Sequence, residues 1–395
     1  MEINIMATTK LGYKAPKKKF DKIGGLAAGV CYLPDTIKAL KKEPKKRTIN
    51  RIARTKNGEH QSPYDHPSIM LELVNIPKIL AMFLNDERFY TASEKSARYK
   101  KMPLPPEEQI LYDKWLEIFK NEIKEVYGGT SPKWFTDSKI EKLAQENARY
   151  LTSVFTPTSM VYTLSYRQFN IICMFVQQEM AELKPNSDEF SKKLYKTFDE
   201  FLTEMQKLPY WDENLQRNSK DREFALIERD PEPIIKHFGD VYALSYNGSF
   251  AQLAQAQRHR TLKYSMRMPK KTLQFYVPKI IRKKPKLVQE WFKDCHSLAE
   301  NYPQGTLVEI NEMGTLKDFI LKIKERNCAC AQLEIDNQTT KTKREYYKAL
   351  LKAGHAAKAE KLKPYLNGSR CTFPDYKCPD GGCGFKEGIT GERLI

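Results

Sequence analysis

Apolar and polar positions alternate from Ile69 to Val74. Ile69, Leu71 and Leu73 interleave with Met70, Glu72 and Val74, the period-two pattern of a strand. Asn75-Ile76-Pro77 follows, with Asn a good helix cap and Pro tolerated in a first turn. Ile76, Ile79, Leu80 and Phe83 then fall at helical spacing, and a polar loop from Asn85 to Tyr99 closes the unit. A comparable series stands in the second half. Val241 to Tyr246 predicts a short strand, Asn247-Gly248 a turn and Ser249 a cap. Phe250, Leu253 and Ala254 share a helical face through Gln257, and a basic loop runs from Arg258 to Lys271. Helical segments are predicted after each unit, over Glu141 to Lys207 and Leu316 to Lys363. Strand–turn–helix units are common, so this pattern alone leaves a true repeat and an accident both open. The polar stretch Leu208 to Asp221 is the expected boundary between halves. The Lys-rich first fifty-odd residues predict an arm over the surface, with a short ordered piece near Gly24 to Leu33.

Composition narrows the class. The chain has 395 residues, 41% hydrophobic and 11% aromatic, enough for two or three cored domains and too apolar for global disorder. Its densest apolar run, Ile171 to Val176, is far too short to span a membrane. Met1 to Lys10 lacks the apolar region of a signal peptide, so a cytoplasmic location is expected. Eight Cys in such a chain are expected to be reduced thiols. Lys and Arg number 67 against 49 Asp and Glu, a net charge of +18 that favours anionic partners: nucleic acid, phosphorylated small molecules or acidic surfaces. Arg258 to Lys286 holds eleven of these cations and no acid.

The informative cluster is Arg258-His259-Arg260. Three adjacent cationic or near-cationic groups repel one another, so an anion there would relieve them. Arg offers fixed bidentate donors to phosphate and carbonyl oxygens, and His259 can bond or stack on a planar heterocycle. The same triplet would also suit a basic helix C-terminus that offsets the dipole. Gln255 and Gln257 precede it, and Gln274-Phe275-Tyr276-Val277-Pro278 follows. Here the chain resembles the flavin-dependent thymidylate synthase family (ThyX), whose signature is an Arg-His-Arg triplet at a helix end. Arg326-Asn327-Cys328-Ala329-Cys330-Ala331-Gln332-Leu333-Glu334-Ile335 resembles that family's late helix.

The first half resembles the same family elsewhere. His60-Gln61-Ser62-Pro63-Tyr64-Asp65-His66 is similar to the segment before the family's first long strand, and Glu94-Lys95-Ser96-Ala97-Arg98-Tyr99 to its substrate loop. Where the triplet should stand, this half reads Asp86-Glu87-Arg88, keeping only the last Arg. In the second half the triplet survives and the substrate loop is reduced to Tyr264-Ser265-Met266-Arg267-Met268. Arg149 and Arg167 resemble two further family positions, at which the second half has Ala299 and Lys317. The first half shows no counterpart of Arg326.

The resemblance therefore implies an α+β fold of two tandem ThyX-like domains, each a sheet packed with long helices. The expected division is a basic arm 1–56, copy one 57–208, copy two 209–364 and a Cys-rich tail 365–395. It also implies a composite site, since the family builds each site between subunits. Glu94, Ser96, Ala97 and Arg98 would join Gln255 and Arg326 on a nucleotide, with Arg98 and Arg326 at the phosphate. His60, Ser62, Asp65, Arg167, Arg258, His259 and Arg260 would hold FAD. Arg258 would be catalytic, polarising the pyrimidine at C5 by electrostatic stabilisation. The flavin carries the one-carbon unit in this chemistry, so Ser96 is no catalytic serine. The implied activity is transfer of a one-carbon unit from methylenetetrahydrofolate to dUMP or a related pyrimidine nucleotide, with NADPH as cosubstrate. A homodimer of fused pairs would supply the family's four subunits. The alternative is an inactive relative that binds nucleotides or nucleic acid, for which Asp86-Glu87 beside an expected phosphate site and the missing Arg149 equivalent both argue. Separately, Cys371, Cys378 and Cys383 form a Gly/Pro-punctuated knuckle able to hold zinc with a fourth ligand from Cys328, Cys330 or His355. Unligated thiols are equally compatible with that spacing. Cys295-His296 is expected to be structural. Lys279 to Lys286 would steer anionic substrates, and Lys341 to Lys363 would be solvated surface.

Overall fold

The computed structural model describes the chain except residues 10–15, 33–35, 58–60, 88–89, 96–101, 129–134, 187, 217–225, 227–241, 258–261, 271 and 377–392. The first half runs β1 (Glu2–Thr8), α1 (Lys17–Tyr32), α2 (Ile37–Leu40), α3 (Lys45–Asn57), β2 (Ser68–Pro77), α4 (Lys78–Asp86), β3 (Tyr90–Glu94), α5 (Pro106–Tyr127), α6 (Asp137–Ala148), β4 (Pro157–Ser165), α7 (Tyr166–Leu183) and α8 (Glu189–Lys207). The second runs β5 (Tyr242–Ser249), α9 (Phe250–Ala256), β6 (Lys263–Met266), α10 (Pro285–Ser297), β7 (Leu307–Gly314), α11 (Leu316–Arg326), α12 (Leu333–Lys352) and α13 (Ala356–Leu362). The fold is mixed α+β, as expected. Its compact units do not follow linear boundaries. One comprises 1–95 with 157–224, the other 96–156 with 225–395.

The first unit carries an antiparallel sheet in the order β1-β2-β4-β3. Ile69, Leu71 and Leu73 point inward and Met70, Glu72 and Val74 do not, as their alternation predicts. Asn75 does not cap a helix. It adopts φ 54° inside β2, where the pairing with β4 shifts between Leu73 and Ile76. That bulge returns Ile76 to the core, and α4 begins at Lys78 after Pro77.

The Lys-rich N-terminal segment is no surface arm. β1 adds an edge strand with Ile3 and Ile5 buried, and α1 packs on α3 and on Tyr64. A Cβ at Gly24 would lie 2.5 Å from two Tyr64 ring carbons. The Lys56 ammonium, at the end of α3, is buried between Asp21 and Asp212 and lies 5.4 Å from the Tyr64 and Tyr166 ring centres. Tyr166 Oη donates to the same Asp212 at 2.9 Å, and Asn170 Oδ1 accepts from the Asp212 amide at 2.7 Å. Burial pushes the Asp212 carboxyl up, but Lys56 outweighs it and holds the group below its ordinary range. A buried ion pair of this kind pins a lysine-rich segment that periodicity alone leaves unplaced.

The second unit has the antiparallel sheet β5-β7-β6. Asn247-Gly248 is not a turn. The strand runs on through it, opposite Glu309 and Val308, and Ser249 caps α9 by accepting from Gln252 N at 3.0 Å. The core of this unit gathers α5, α6 and α10. Trp115 meets Trp291 edge-on at 4.7 Å, and its indole N–H donates to Asp294 at 2.9 Å. Cys295 is buried there, its thiol pushed up by burial, consistent with a structural role. Lys284 donates to Glu122 and Glu125, both at 2.8 Å, which occupies part of the expected steering stretch. Within Lys341 to Lys363, Lys343 is buried, against the expectation of solvated surface, and burial lowers its ammonium to about 8.

Alanine at an exposed helical glycine stabilises by roughly 1 kcal/mol. Gly24→Ala is expected to do the reverse and cost about 1–3 kcal/mol, because Tyr64 is fully buried and has nowhere to move. Chemical denaturation of the variant checks the sign.

Candidate functional site

A buried polar cluster in the second unit forms around the end of α9, the end of α11 and the start of α12. Glu334, in the first turn of α12, accepts from the Ser249 amide at 2.9 Å, the Ser249 hydroxyl at 2.6 Å and the Tyr150 hydroxyl at 2.8 Å. Gln332, two residues earlier, donates to Tyr150 Oη and accepts from Gln255 Nε2 at 2.5 Å and from the Arg149 guanidinium. Arg326, the last residue of α11, donates to the Gln255 carbonyl. Burial raises the Glu334 carboxyl, opposed by Ser249, Tyr150 and the Arg149 charge, and raises the Tyr150 hydroxyl far above its ordinary value.

Tyr150 is placed by backbone. Its carbonyl accepts from Gly305 N, where a Cβ would come within 3.0 Å of it, so only glycine lets the two strands of chain approach. Gly305 O in turn accepts from Tyr276 N at 2.8 Å, and the Tyr276 ring lies 4.7 Å from that of Tyr150. Trp291 bonds the Tyr276 carbonyl at 2.9 Å, and the Arg282 guanidinium sits 5.4 Å from the Tyr276 ring centre. A cavity of about 340 Å³ opens alongside, lined by Phe275, Tyr276, Val277, Arg282, Val288 and Leu307.

Gln255 and Arg326 are therefore brought together. Arg149 joins them, which sequence reasoning missed. It lies in the first half of the sequence. Arg149 reaches this cluster because the segment 96–156 packs within the second unit. No spacing signal marks such an exchange. The available clue was the resemblance of Arg149 to a family position.

In the first unit, Ser62 and Asp65 lie on a short 3-10 turn before β2, both exposed. Arg167, in the first turn of α7, donates to Asp65 at 3.0 Å, and Ser165 Oγ donates to the other Asp65 oxygen at 2.8 Å. Glu94, at the end of β3, is bonded by Lys78 at 2.5 Å and Asn85 at 3.2 Å. His60, Ser96, Ala97, Arg98, Arg258, His259 and Arg260 lie outside the described residues, as do Arg88, Cys378 and Cys383. Cys371 is exposed, and among the described residues no three His, Cys, Asp or Glu are grouped to hold a metal ion. None of the described helices is long and apolar enough to cross a membrane.

Residues 17–183 match the family model described as thymidylate synthase complementing protein. The match covers less than half of the chain. The matched stretch contains Ser62, Asp65, Glu94, Arg149 and Arg167, and so contributes to the polar groups of both units. Among solved structures, the chain is similar to the UMP/dUMP methylase PolB from Streptomyces cacaoi bound with 5-Br dUMP, at 17% identity over 44% of this chain and 76% of that one, with a TM-score of 0.28. It is also similar to thymidylate synthase X from Helicobacter pylori with FAD and dUMP, at 15% identity over 55% of this chain and all of that one, with a TM-score of 0.30. No curated protein matches the sequence.

Replacing Glu334 tests the cluster. Glu334→Ala leaves three buried donors unpaired and is expected to cost about 3–5 kcal/mol, whereas Glu334→Gln, which keeps an acceptor, should cost about 1–2 kcal/mol. Urea unfolding of the two variants measures the difference.

Proposed function

We propose that the protein is a flavin-dependent thymidylate synthase-like enzyme. It transfers a one-carbon unit from methylenetetrahydrofolate to C5 of dUMP or a related pyrimidine nucleotide, with NADPH as reductant. The observation that supports this reading most is the convergence of Arg149, from the matched stretch, with Arg326 and Gln255 from the other half of the chain. Two guanidinium groups within one buried hydrogen-bonded cluster suit a bound anion, and a nucleotide phosphate has the matching geometry. Gln255 Oε1 is buried and has no partner among the described residues, an acceptor able to take an imide N–H. Glu334 holds the start of α9 through Ser249 and, through Tyr150, the Gln332 side chain, so these groups need not reorganise when a ligand arrives.

The residues proposed for FAD are described in part. Ser62 is exposed beside Asp65, and Arg167 is held toward it by the same carboxylate, giving a hydroxyl and a guanidinium on one edge of the first unit. His60 and the Arg258-His259-Arg260 triplet would complete the set. When bound, the flavin supplies the redox step and relays the one-carbon unit. Arg258 would polarise the pyrimidine ring, while Glu94, Ser96, Ala97 and Arg98 would orient the nucleotide. In this reading the chain is a fusion of two diverged copies, each incomplete, and two chains form a homodimer.

The decisive measurement is absorbance of the purified protein, expected to show a flavin band, together with turnover of dUMP. Arg258→Ala should abolish flavin retention or turnover, with Arg88→Ala far milder. Arg149→Ala should raise the nucleotide KM by about tenfold to a hundredfold, the weight of a charge-assisted bond. A colourless protein that binds oligonucleotides with a steep salt dependence would favour the non-enzymatic alternative instead. Light scattering should give the mass of two chains, and a monomer would remove the assembly claim.

A further inference from the structure

We propose that the exposed face formed by α2, the turn after it and α3 binds double-stranded DNA, with α3 along the major groove and the flanking cations on the phosphates. Lys38, Lys41, Lys42, Lys45, Lys46 and Arg54 are exposed on this face, and none of them has an acidic partner among the described residues. Glu43 is the one acid between Lys38 and Arg54. Its carboxylate is engaged within the fold. Arg51 donates to its two oxygens at 2.9 and 2.7 Å, and Thr48 donates to it at 2.6 Å. The positive charge of the face is therefore left uncompensated. The backbone beneath it is fixed. Leu40 is buried, Arg51 also donates to the Gly25 carbonyl at 3.0 Å, and a Cβ at Gly25 would lie 2.6 Å from Ile52. The amides of Lys41, Lys42 and Arg47 bond back to the carbonyls of Ile37, Ala39 and Pro44 at 3.0, 2.9 and 2.9 Å.

Helix stability does not account for this arrangement. Lys45, Lys46 and Arg47 fill the first turn of α3, which has no acid, and the helix dipole opposes cations there. A polyanion laid across the face relieves both that conflict and the mutual repulsion of the cations. Extent and composition narrow the partner. Lys45 to Arg54 covers about 14 Å along α3, too long for one phosphate and matched by a row of them. Residues 36–57 contain no aromatic side chain, so the face lacks the rings on which single strands stack. Between its cations α3 presents Ile49, Asn50 and Ala53, all exposed and none bulky. The major groove of B-form DNA admits such a helix, whereas the deep, narrow major groove of an RNA duplex does not.

This surface does not rest on the enzymatic reading, and its test uses no turnover. Binding of a labelled, mixed-sequence DNA duplex to the full chain is followed by fluorescence anisotropy from about 50 to 200 mM salt. With about five to seven phosphate contacts, the logarithm of the affinity should fall against that of the salt with a slope of about −4 to −6. The variant carrying Lys41→Gln, Lys42→Gln, Lys45→Gln and Lys46→Gln should bind about a hundredfold more weakly, its slope flatter by about three to four. Lys341→Gln, Lys348→Gln, Lys352→Gln and Lys361→Gln together remove the same charge from exposed positions elsewhere and should leave the affinity within about threefold. On unmodified protein, so that no variant need fold, bound duplex should protect Lys41, Lys42, Lys45 and Lys46 from acetylation. Equal losses in the two variants would reduce the effect to net charge and overturn the proposal. So would absence of binding or of protection, or a single strand, an RNA duplex or phosphatidylserine vesicles bound as tightly as the DNA duplex.

Discussion

One buried carboxylate organises the second unit. Moving a carboxylate out of water costs several kcal/mol unless donors replace the lost hydration. Glu334 meets three, from the Ser249 amide, the Ser249 hydroxyl and Tyr150. Those donors sit on different parts of the chain, so satisfying one charge ties the end of β5, the start of α12 and the turn after α6 together. The consequences spread outward from there. Gln332 is placed to take bonds from Gln255 and Arg149, and Tyr150 is placed for Tyr276 to lie on it. The candidate ligand groups are thus peripheral to a structural polar centre, which fixes them while they are buried.

The first unit uses a charge of opposite sign in the same way. Lys56 brings a cationic group inside, and Asp21 with Asp212 offsets it. Its partners lie 35 and 156 residues away in sequence, linking the N-terminal helices to the segment after α8. In each unit, then, an ionisable residue that sequence composition would assign to the surface is what closes the fold.

Much of the regular structure was legible. The alternation around Ile69 placed a strand, and Ser249 was recognised as a cap from its position before an apolar helical face. Local signals failed where tertiary context overrode them. Asn75 and the Asn247-Gly248 pair carry turn chemistry, yet one sits in a bulge and the other in a strand paired along its length. The N-terminal helices were only partly legible, because Phe20, Leu26 and Ala28 share the inward face with glycines and a buried lysine, which weaken any hydrophobic pattern. In the polar cluster, Gln255 and Arg326 are residues a motif singled out, and Arg149 is one noted in the first half without these neighbours. Its true surroundings depend on α5 and α6 packing with residues more than a hundred positions later, and no short-range rule reports that.

That packing constrains how the protein is made. Trp115 and Phe119 bury themselves against Trp291, which the ribosome adds about 170 residues later. At ordinary elongation rates α5 must wait on the order of ten to thirty seconds for its partner, while residues on both sides of it in sequence are already able to form the first unit. During that interval an amphipathic helical pair with two large aromatic rings has no core of its own. The nascent chain therefore passes through a stage in which a loop excursion from a finished body exposes apolar surface. Splitting the gene at its apparent midpoint would make that stage permanent, leaving each half with an unfilled core rather than yielding two independent proteins.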